Sequence, residues 1–166
     1  MNASELLIEY VRYTYWASTS LLEACSALSN EELRRDLHTA YPSIWATLVH
    51  IYQSDCVWLT RYRGGSPTAL SAFEPGHDLN DLRTRWQEAL QGLVDFAESR
   101  SEEQWGETLV YATTKGQVFS QPLWQVVLHQ VNHDTLHRGQ VLAAFRQIGR
   151  VPVSVDLIHY YRRNSK

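Results

Sequence analysis

Four long stretches of helical periodicity, separated by linkers, constrain the fold of this chain more than any other feature. The first runs from about Ala3 to Leu28 and the second from about Ser43 to Tyr62. The third spans about Leu79 to Ser99, and the fourth spans about Pro122 to Gly149. Their apolar residues recur every three to four positions, as in helices that bury one side. Four such helices joined by crossover linkers predict an all-α four-helix bundle.

The segments between these helices differ in character. Residues 63–78, RGGSPTALSAFEPGHD, have the composition of a loop. Residues 107–121, ETLVYATTKGQVFSQ, lack helical periodicity, and TTKG lies between β-branched and aromatic residues. This pattern predicts a short hairpin before the last long helix. Near the end of the chain, DLIHYYRRN predicts a short terminal helix.

Length, charge and cysteine content exclude several classes of protein. A chain of 166 residues suits a single domain over 1–166. The net charge of −3, without a basic block, argues against binding nucleic acid through its phosphates. No apolar run is long enough to span a membrane, and the first residues do not resemble a signal peptide. The sequence contains only two cysteines, Cys25 and Cys56, which is fewer than a disulfide-stabilised secreted domain usually has. We interpret both as small core residues and expect a cytoplasmic protein.

The stretch HQVNHDTLHRGQ places His129, His133 and His137 four residues apart on the fourth helix. Positions four apart differ by about 40° around a helix and by about 6 Å along it. Two neighbouring imidazoles on this stripe can therefore reach one metal ion, whereas the outer two, about 12 Å apart, cannot easily share it. A further ligand has to come from another helix, and His50 lies in the middle of the second one.

Other interpretations of these histidines remain open on spacing alone. A pair of histidines four residues apart is common, and a buried histidine can be satisfied by hydrogen bonds alone. The Glu-x-x-His pairs of di-iron bundles are absent, because Asp134 stands three residues before His137. The His-Glu-x-x-His signature of zinc proteases is absent because Asp134 follows His133. Cys56 faces away from His50 and is a poor further ligand.

Two stretches identify a family. LVHIYQSDCVW at 48–58, followed by VLHQVNHDTLHRGQV at 127–141, resembles the DinB/YfiT-like superfamily, and H-x-x-x-H-R-G-Q is the most specific element. YTYWASTSLLEAC at 13–25 resembles the family's first helix, so the resemblance covers nearly the whole chain. It implies a four-helix bundle with up-down-down-up helix directions and a homodimer.

The resemblance also implies a metal site. The family's one histidine on the second helix and H-x-x-x-H pair on the fourth correspond here to His50, His133 and His137, and the implied ion is zinc or nickel. His129 then lies beside the site as a pocket residue. The family signature continues through Arg138, Gly139 and Gln140. We expect Gly139 to permit close helix approach and Arg138 to form an ion pair with Asp55 or Asp134.

Several functions are compatible with such a site. Members of the superfamily catalyse thiol-dependent S-transfer, with bacillithiol or glutathione as donor, or mycothiol-dependent isomerisation of maleylpyruvate. The leading hypothesis is therefore a thiol S-transferase whose partners are a small electrophile and a low-molecular-weight thiol. A metal-dependent hydrolase, or a non-catalytic metal-binding protein of a stress response, is the alternative. His129 and Gln140 are the polar side chains nearest to the predicted ligands and are the candidate catalytic residues.

Overall fold

The computed structural model describes residues 2–70 and 78–163, which fold mainly into helices. In chain order the elements are α1 (Ala3–Cys25), α2 (Asn30–Arg34), α3 (Ile44–Tyr62), α4 (Leu79–Glu98), a 3₁₀ helix (Glu103–Gly106), β1 (Thr108–Ala112), β2 (Val118–Pro122), α5 (Leu123–Gln147) and α6 (Leu157–Arg162). The all-α class, the four long helices, the hairpin and the terminal helix are thus confirmed. The short α2 and the 3₁₀ helix were not predicted. Residues 71–77 of the predicted loop lie outside the described residues.

The contacts of α1 show how it runs relative to its neighbours. Arg12 in the first half of α1 bonds Glu98 at the end of α4, with Nη2 and Oε1 2.7 Å apart, so these helices are antiparallel. Leu6 and Trp124, near the starts of α1 and α5, line one groove. Further along both helices, Arg138 donates to Ser18 Oγ at 3.2 Å. Helices α1 and α5 are therefore parallel.

The contacts of α3 complete the arrangement. The end of α3 meets the start of α5, where Tyr62 Oη lies 3.4 Å from the carbonyl oxygen of Val126, so these two helices are antiparallel. Helix α3 runs parallel to α4, because Trp86 meets Asp55 and, one to two turns later along both helices, Gly92 meets Leu59. A Cβ at Gly92 would lie 2.8 Å from a Leu59 methyl group. The four long helices follow the predicted up-down-down-up order.

The helix boundaries reflect local capping. Ser43 accepts a hydrogen bond from the backbone N–H of Ala46 at 3.1 Å, as expected for the residue before α3. Asn2, Ser29 and Asp78 each form a capping box at the start of α1, α2 and α4. Helix α1 ends at Cys25, three residues earlier than predicted, and α5 ends at Gln147 rather than near Gly149.

The hairpin turns tightly and packs back onto α3. The N–H of Gly116 bonds the carbonyl oxygen of Thr113 at 2.9 Å, and Gly116 has a positive φ of 81°, which glycine adopts without strain. The strands pair antiparallel from Thr108 opposite Pro122 to Ala112 opposite Val118. Tyr111 of β1 meets the Trp58 ring of α3 edge-on, with ring centres 5.2 Å apart. The hairpin therefore covers the part of α3 that follows His50.

The bundle core is mainly apolar and contains a cluster of polar side chains. Trp86 is fully buried at its centre, among side chains that include Leu21, Leu48, Leu82 and Val131. The same core contains the fully buried Asp55 and Asp134 beside Gln130, and this polar cluster lies under the histidine-bearing faces of α3 and α5. In the described parts of the chain, no helix combines the length and apolar character needed to cross a membrane.

Candidate metal centre

The structure brings His50, His133 and His137 together where α3 and α5 lie side by side. The Nε2 atoms of His50 and His133 are 3.2 Å apart. The ring centre of His137 is 4.5 Å from that of His50 and 4.4 Å from that of His133. One ring nitrogen from each histidine lies within 4.8 Å of the other two. These are the three residues that the sequence predicted as ligands.

The spacing of these nitrogens fits a metal ion. Zinc binds histidine nitrogen at about 2.0–2.1 Å, so two donors on one tetrahedral ion are about 3.3–3.4 Å apart. The 3.2 Å between His50 and His133 is close to that value. Among the histidine, cysteine and carboxylate side chains of residues 2–70 and 78–163, these three imidazoles are the group that lies close enough together to hold an ion. The group could therefore hold a metal ion without a protein carboxylate or thiolate.

Burial prepares the three imidazoles for metal binding. It lowers the pKa of His50 to about 4, and the charges of His137 and His133 act in the same direction. Burial also lowers the pKa of His133, partly offset by Asp55, and the pKa of His137, partly offset by its hydrogen bond with Gln140. All three rings are therefore neutral at pH 7, which is the form that binds metal.

Gln140 fixes the tautomer of His137. Its side-chain oxygen lies 2.8 Å from Nδ1 of His137, one turn earlier on α5. Because an amide oxygen can only accept a hydrogen bond, Nδ1 carries the proton and Nε2 keeps its lone pair. Bonds of this kind hold metal-binding histidines in the right orientation. Gln140, a predicted catalytic residue, thus contacts a candidate ligand.

A cluster of buried polar side chains lies between His133 and the bundle core. Asp55 accepts hydrogen bonds from Trp86 Nε1 and from Gln130 Nε2, both at 2.7 Å. The Gln130 amide also donates to Asp134 Oδ2 at 3.2 Å, and Asp134 Oδ1 lies 3.6 Å from Nδ1 of His133. Burial raises the pKa of both carboxyl groups. This cluster places two buried carboxyl groups close to the inner side of His133.

Tyr41 is a site residue that the sequence interpretation missed. Its ring stacks on His50 with ring centres 4.1 Å apart, and its hydroxyl oxygen is 3.0 Å from His50 Nε2. It also meets the edge of His137 at 5.3 Å. Tyr41 belongs to the loop before α3, which a 2.7 Å bond between the Leu37 N–H and the Pro42 carbonyl oxygen closes. The sequence signal is slight: an aromatic residue in front of the Pro42 and Ser43 helix start.

His129, which the family resemblance implied to be a pocket residue, stands beside the group and outside it. Its ring centre is 6.1 Å from that of His133, and it meets the Trp58 ring edge-on at 5.5 Å. The residue is exposed overall. Partial burial of its ring, together with the charges of His133 and Arg61, lowers its pKa. His129 therefore presents a neutral imidazole to solvent next to the three converging rings.

Two expectations about the signature around His137 are wrong. A Cβ at Gly139 would meet no atom within 4 Å, so this glycine is not required for close helix approach. It lies on the exposed side of α5. Arg138 donates to Ser18 Oγ at 3.2 Å and to Thr135 Oγ1 at 2.9 Å, and forms no ion pair with either predicted aspartate. The parallel packing of α1 against α5 puts Ser18 within its reach.

Comparison with known proteins identifies the family of this chain. The sequence profile of the DinB family matches residues 1–164. The chain belongs to the DinB family. Protein DinB of Bacillus subtilis (strain 168) is 22% identical over 160 residues, covering 92% of this chain and 92% of that protein. The uncharacterized protein YizA of the same organism is 20% identical over 152 residues, covering 92% of this chain and 94% of the relative. Both similarities span almost the whole bundle of this DinB-family protein.

Proposed function

We propose that this DinB-family protein is a metal-dependent enzyme in which His50, His133 and His137 bind a divalent transition metal, zinc or nickel. The observation that carries the proposal is the convergence of one nitrogen from each of these neutral rings within 4.8 Å. Structural zinc sites are usually closed by four protein ligands, often cysteines, whereas catalytic sites use three and leave one position for a reactant. Three imidazoles without a cysteine or carboxylate match the catalytic pattern.

The reaction we favour is the transfer of a low-molecular-weight thiol to a small electrophile. The sulfur forms a bond to an electrophilic carbon, the leaving group departs with the bonding electrons, and the thiol proton is released. A bound divalent metal would lower the pKa of a coordinated thiol or water. We place this reaction in the cytoplasm, where thiols are kept reduced.

The chain's own side chains have separate parts in this proposal. Gln140 is a positioning residue, because its oxygen holds the proton of His137 Nδ1 at 2.8 Å. His129 is the candidate proton acceptor, because its neutral ring is exposed 6.1 Å from the ring of His133. A cavity of about 150 Å³ is lined by Tyr41 and Gln140, which contact the histidines, and by Thr47, among others.

An assay with a chromogenic aryl halide and a panel of thiols tests this function. The zinc-loaded or nickel-loaded protein should form the thioether faster than the metal-free protein does. His137→Gln should remove this rate, whereas His159→Gln, which changes an exposed histidine on α6, should not. Turnover of ester substrates without thiol would indicate the hydrolase instead. A protein that binds metal but turns over neither class would be a non-catalytic binding protein, contrary to the proposal.

We also propose that the protein forms a homodimer through a groove between α1, α5 and α6. The groove has a volume of about 640 Å³, and its lining includes Leu6, Trp124, Leu128 and Tyr161. Leu6 is 54% exposed and Trp124 is 41% exposed, which is unusual for large apolar side chains that meet in one patch. Sedimentation equilibrium should give twice the mass of the chain, and a monomer at micromolar concentration would contradict the dimer.

A further inference from the structure

We propose that the hydroxyl oxygen of Tyr41 is a fourth protein donor to the ion held by His50, His133 and His137. The inference rests on the proposed metal centre and adds one residue to it. It makes the resting site a three-histidine, one-tyrosine site. In the proposed reaction a reactant would enter by displacing the Tyr41 oxygen, because Tyr41 comes from a loop whereas the imidazoles come from long helices, and the three imidazoles would remain as the protein ligands.

The first argument is geometric. The Tyr41 oxygen lies 3.0 Å from His50 Nε2, and His133 Nε2 lies 3.2 Å from the same atom. Neighbouring donors on one ion with bonds of about 2.0–2.2 Å are separated by roughly this distance. The oxygen is therefore as close to the common nitrogen as the second imidazole is, which is the spacing expected of a ligand.

The second argument comes from the hydrogen-bonding capacity of His50. A neutral imidazole nitrogen carries either one proton or one lone pair. His50 Nε2 therefore cannot make full hydrogen bonds to Tyr41 Oη and His133 Nε2 at once, although both atoms lie within 3.2 Å of it. A cation placed between these atoms satisfies all of their lone pairs together. The convergence of an oxygen and two nitrogens is explained by a shared ion better than by hydrogen bonds.

The third argument is that the Tyr41 ring is held in place independently of its oxygen. The ring stacks on His50 at an interplanar angle of 20° and meets His137 edge-on at 77°. The backbone bond from Leu37 to Pro42 closes the loop around it. Phenylalanine at this position keeps the ring contacts and removes the oxygen alone. The substitution Tyr41→Phe is therefore a specific probe of the proposed donor.

Metal titration of the full chain tests the inference without an activity assay. Zinc affinity, measured by competition with a chromophoric chelator, should fall about tenfold or more in Tyr41→Phe, as when a metal site loses a supporting group. The visible spectrum of the cobalt-loaded protein should also change, because it reports the donor set. Tyr111→Phe is the matched control, because its hydroxyl donates to Gln121 at 2.7 Å, away from the histidines. This variant should match the wild type in both measurements.

The outcomes separate this inference from the proposed metal centre. Wild-type protein that binds neither zinc nor cobalt would overturn the centre itself. Equal zinc affinity and identical cobalt spectra in wild type and Tyr41→Phe would overturn only the role of Tyr41. Weaker binding with an unchanged cobalt spectrum would also overturn it, since the oxygen would then act on His50 and not on the ion. Zinc should also perturb the ultraviolet absorption of tyrosine in the wild type, a readout that needs no variant.

Discussion

The two sides of α5 differ in the kind of partner they can bind. The side facing α3 carries His133 and His137, whose pKa values are lowered by burial and whose rings converge with that of His50. The side facing α1 and α6 carries Trp124 and Leu128, which line an apolar groove. The first side brings the lone pairs of the histidine nitrogens together at one point, as metal binding requires. Covering the second side with a partner would remove apolar surface from water.

This difference indicates that one helix can contribute to metal binding on one side and to association with a partner on the other, independently of each other. Arg138, between the two sides, is 1% exposed and bonds Ser18 of α1. Metal binding on the histidine side depends on the positions of the nitrogen lone pairs, so substitution of a single polar side chain there should alter it. The groove depends on apolar area, so a charge there should alter assembly. A substitution on either side that affects both properties would break the comparison.

Removing one imidazole should have the largest effect. In His137→Gln the zinc affinity should fall by more than the roughly ten- to hundredfold that accompanies loss of an outer group, because a direct donor is lost. Chelator competition measures this change. The mass in sedimentation should stay the same, because His137 does not line the groove. If His137→Gln binds zinc as tightly as His159→Gln does, the histidine side is not a metal site.

A charge in the groove should have the next largest effect. Trp124→Glu places a carboxylate in an apolar interface, and we expect it to convert the dimer to a monomer at micromolar concentration. Zinc affinity should be unchanged. Val151→Glu is the control, because Val151 is 92% exposed and does not line the groove. If the Trp124→Glu protein remains dimeric, the dimer interface does not lie at this groove.

Loss of the buried carboxylate under the histidines should destabilise the bundle. Asp55→Ala leaves Trp86 Nε1 without its acceptor, whereas the Gln130 amide keeps Asp134, and one unsatisfied buried donor costs about 1–3 kcal/mol of unfolding free energy. Urea unfolding of the metal-free protein measures this loss. Asp55→Asn keeps one acceptor oxygen and should lose less. If both variants unfold like the wild type, the polar cluster does not stabilise the histidine side.

The smallest expected effect is on the pH dependence of metal binding. Protons compete with metal only below the pKa of each ring, and burial lowers the pKa of His50 to about 4 and also lowers those of His133 and His137. Three ordinary imidazoles with a pKa of about 6.5 would lose about sixfold in affinity between about pH 7.5 and pH 6.5. Zinc titrations should show a smaller decrease here. A decrease of sixfold or more would mean that these rings titrate like exposed histidines.

Periodicity and capping residues were sufficient to predict the long helices, and the limits of the prediction are physical. Helix α2, Asn30–Arg34, is too short to show a period, although its Ser29 and Glu32 capping box was present in the sequence. The directions of the helices came from the family resemblance, because periodicity gives the buried side of a helix and not its neighbours. The structure adds the contacts that define these neighbours, such as Arg12 with Glu98.

The candidate site was predictable as far as it lies on helices. Spacing of about 100° per residue put His129, His133 and His137 on one stripe, and the family resemblance then left His129 outside the ligand set. Tyr41 was missed because its position depends on the path of a loop, which the Leu37 to Pro42 bond sets. The partner predicted for Arg138 was wrong because its guanidinium bonds Thr135 on its own helix and Ser18 on α1, a helix more than a hundred residues away in sequence.

X-ray absorption spectroscopy at the zinc edge of the zinc-loaded wild-type protein tests the central claim most directly. The account predicts one zinc per chain, with three imidazole nitrogens identified by ring scattering at about 2.0–2.1 Å, and light oxygen donors filling the remaining positions. A sulfur neighbour, fewer than three imidazoles, or substoichiometric zinc would contradict the three-histidine centre at His50, His133 and His137.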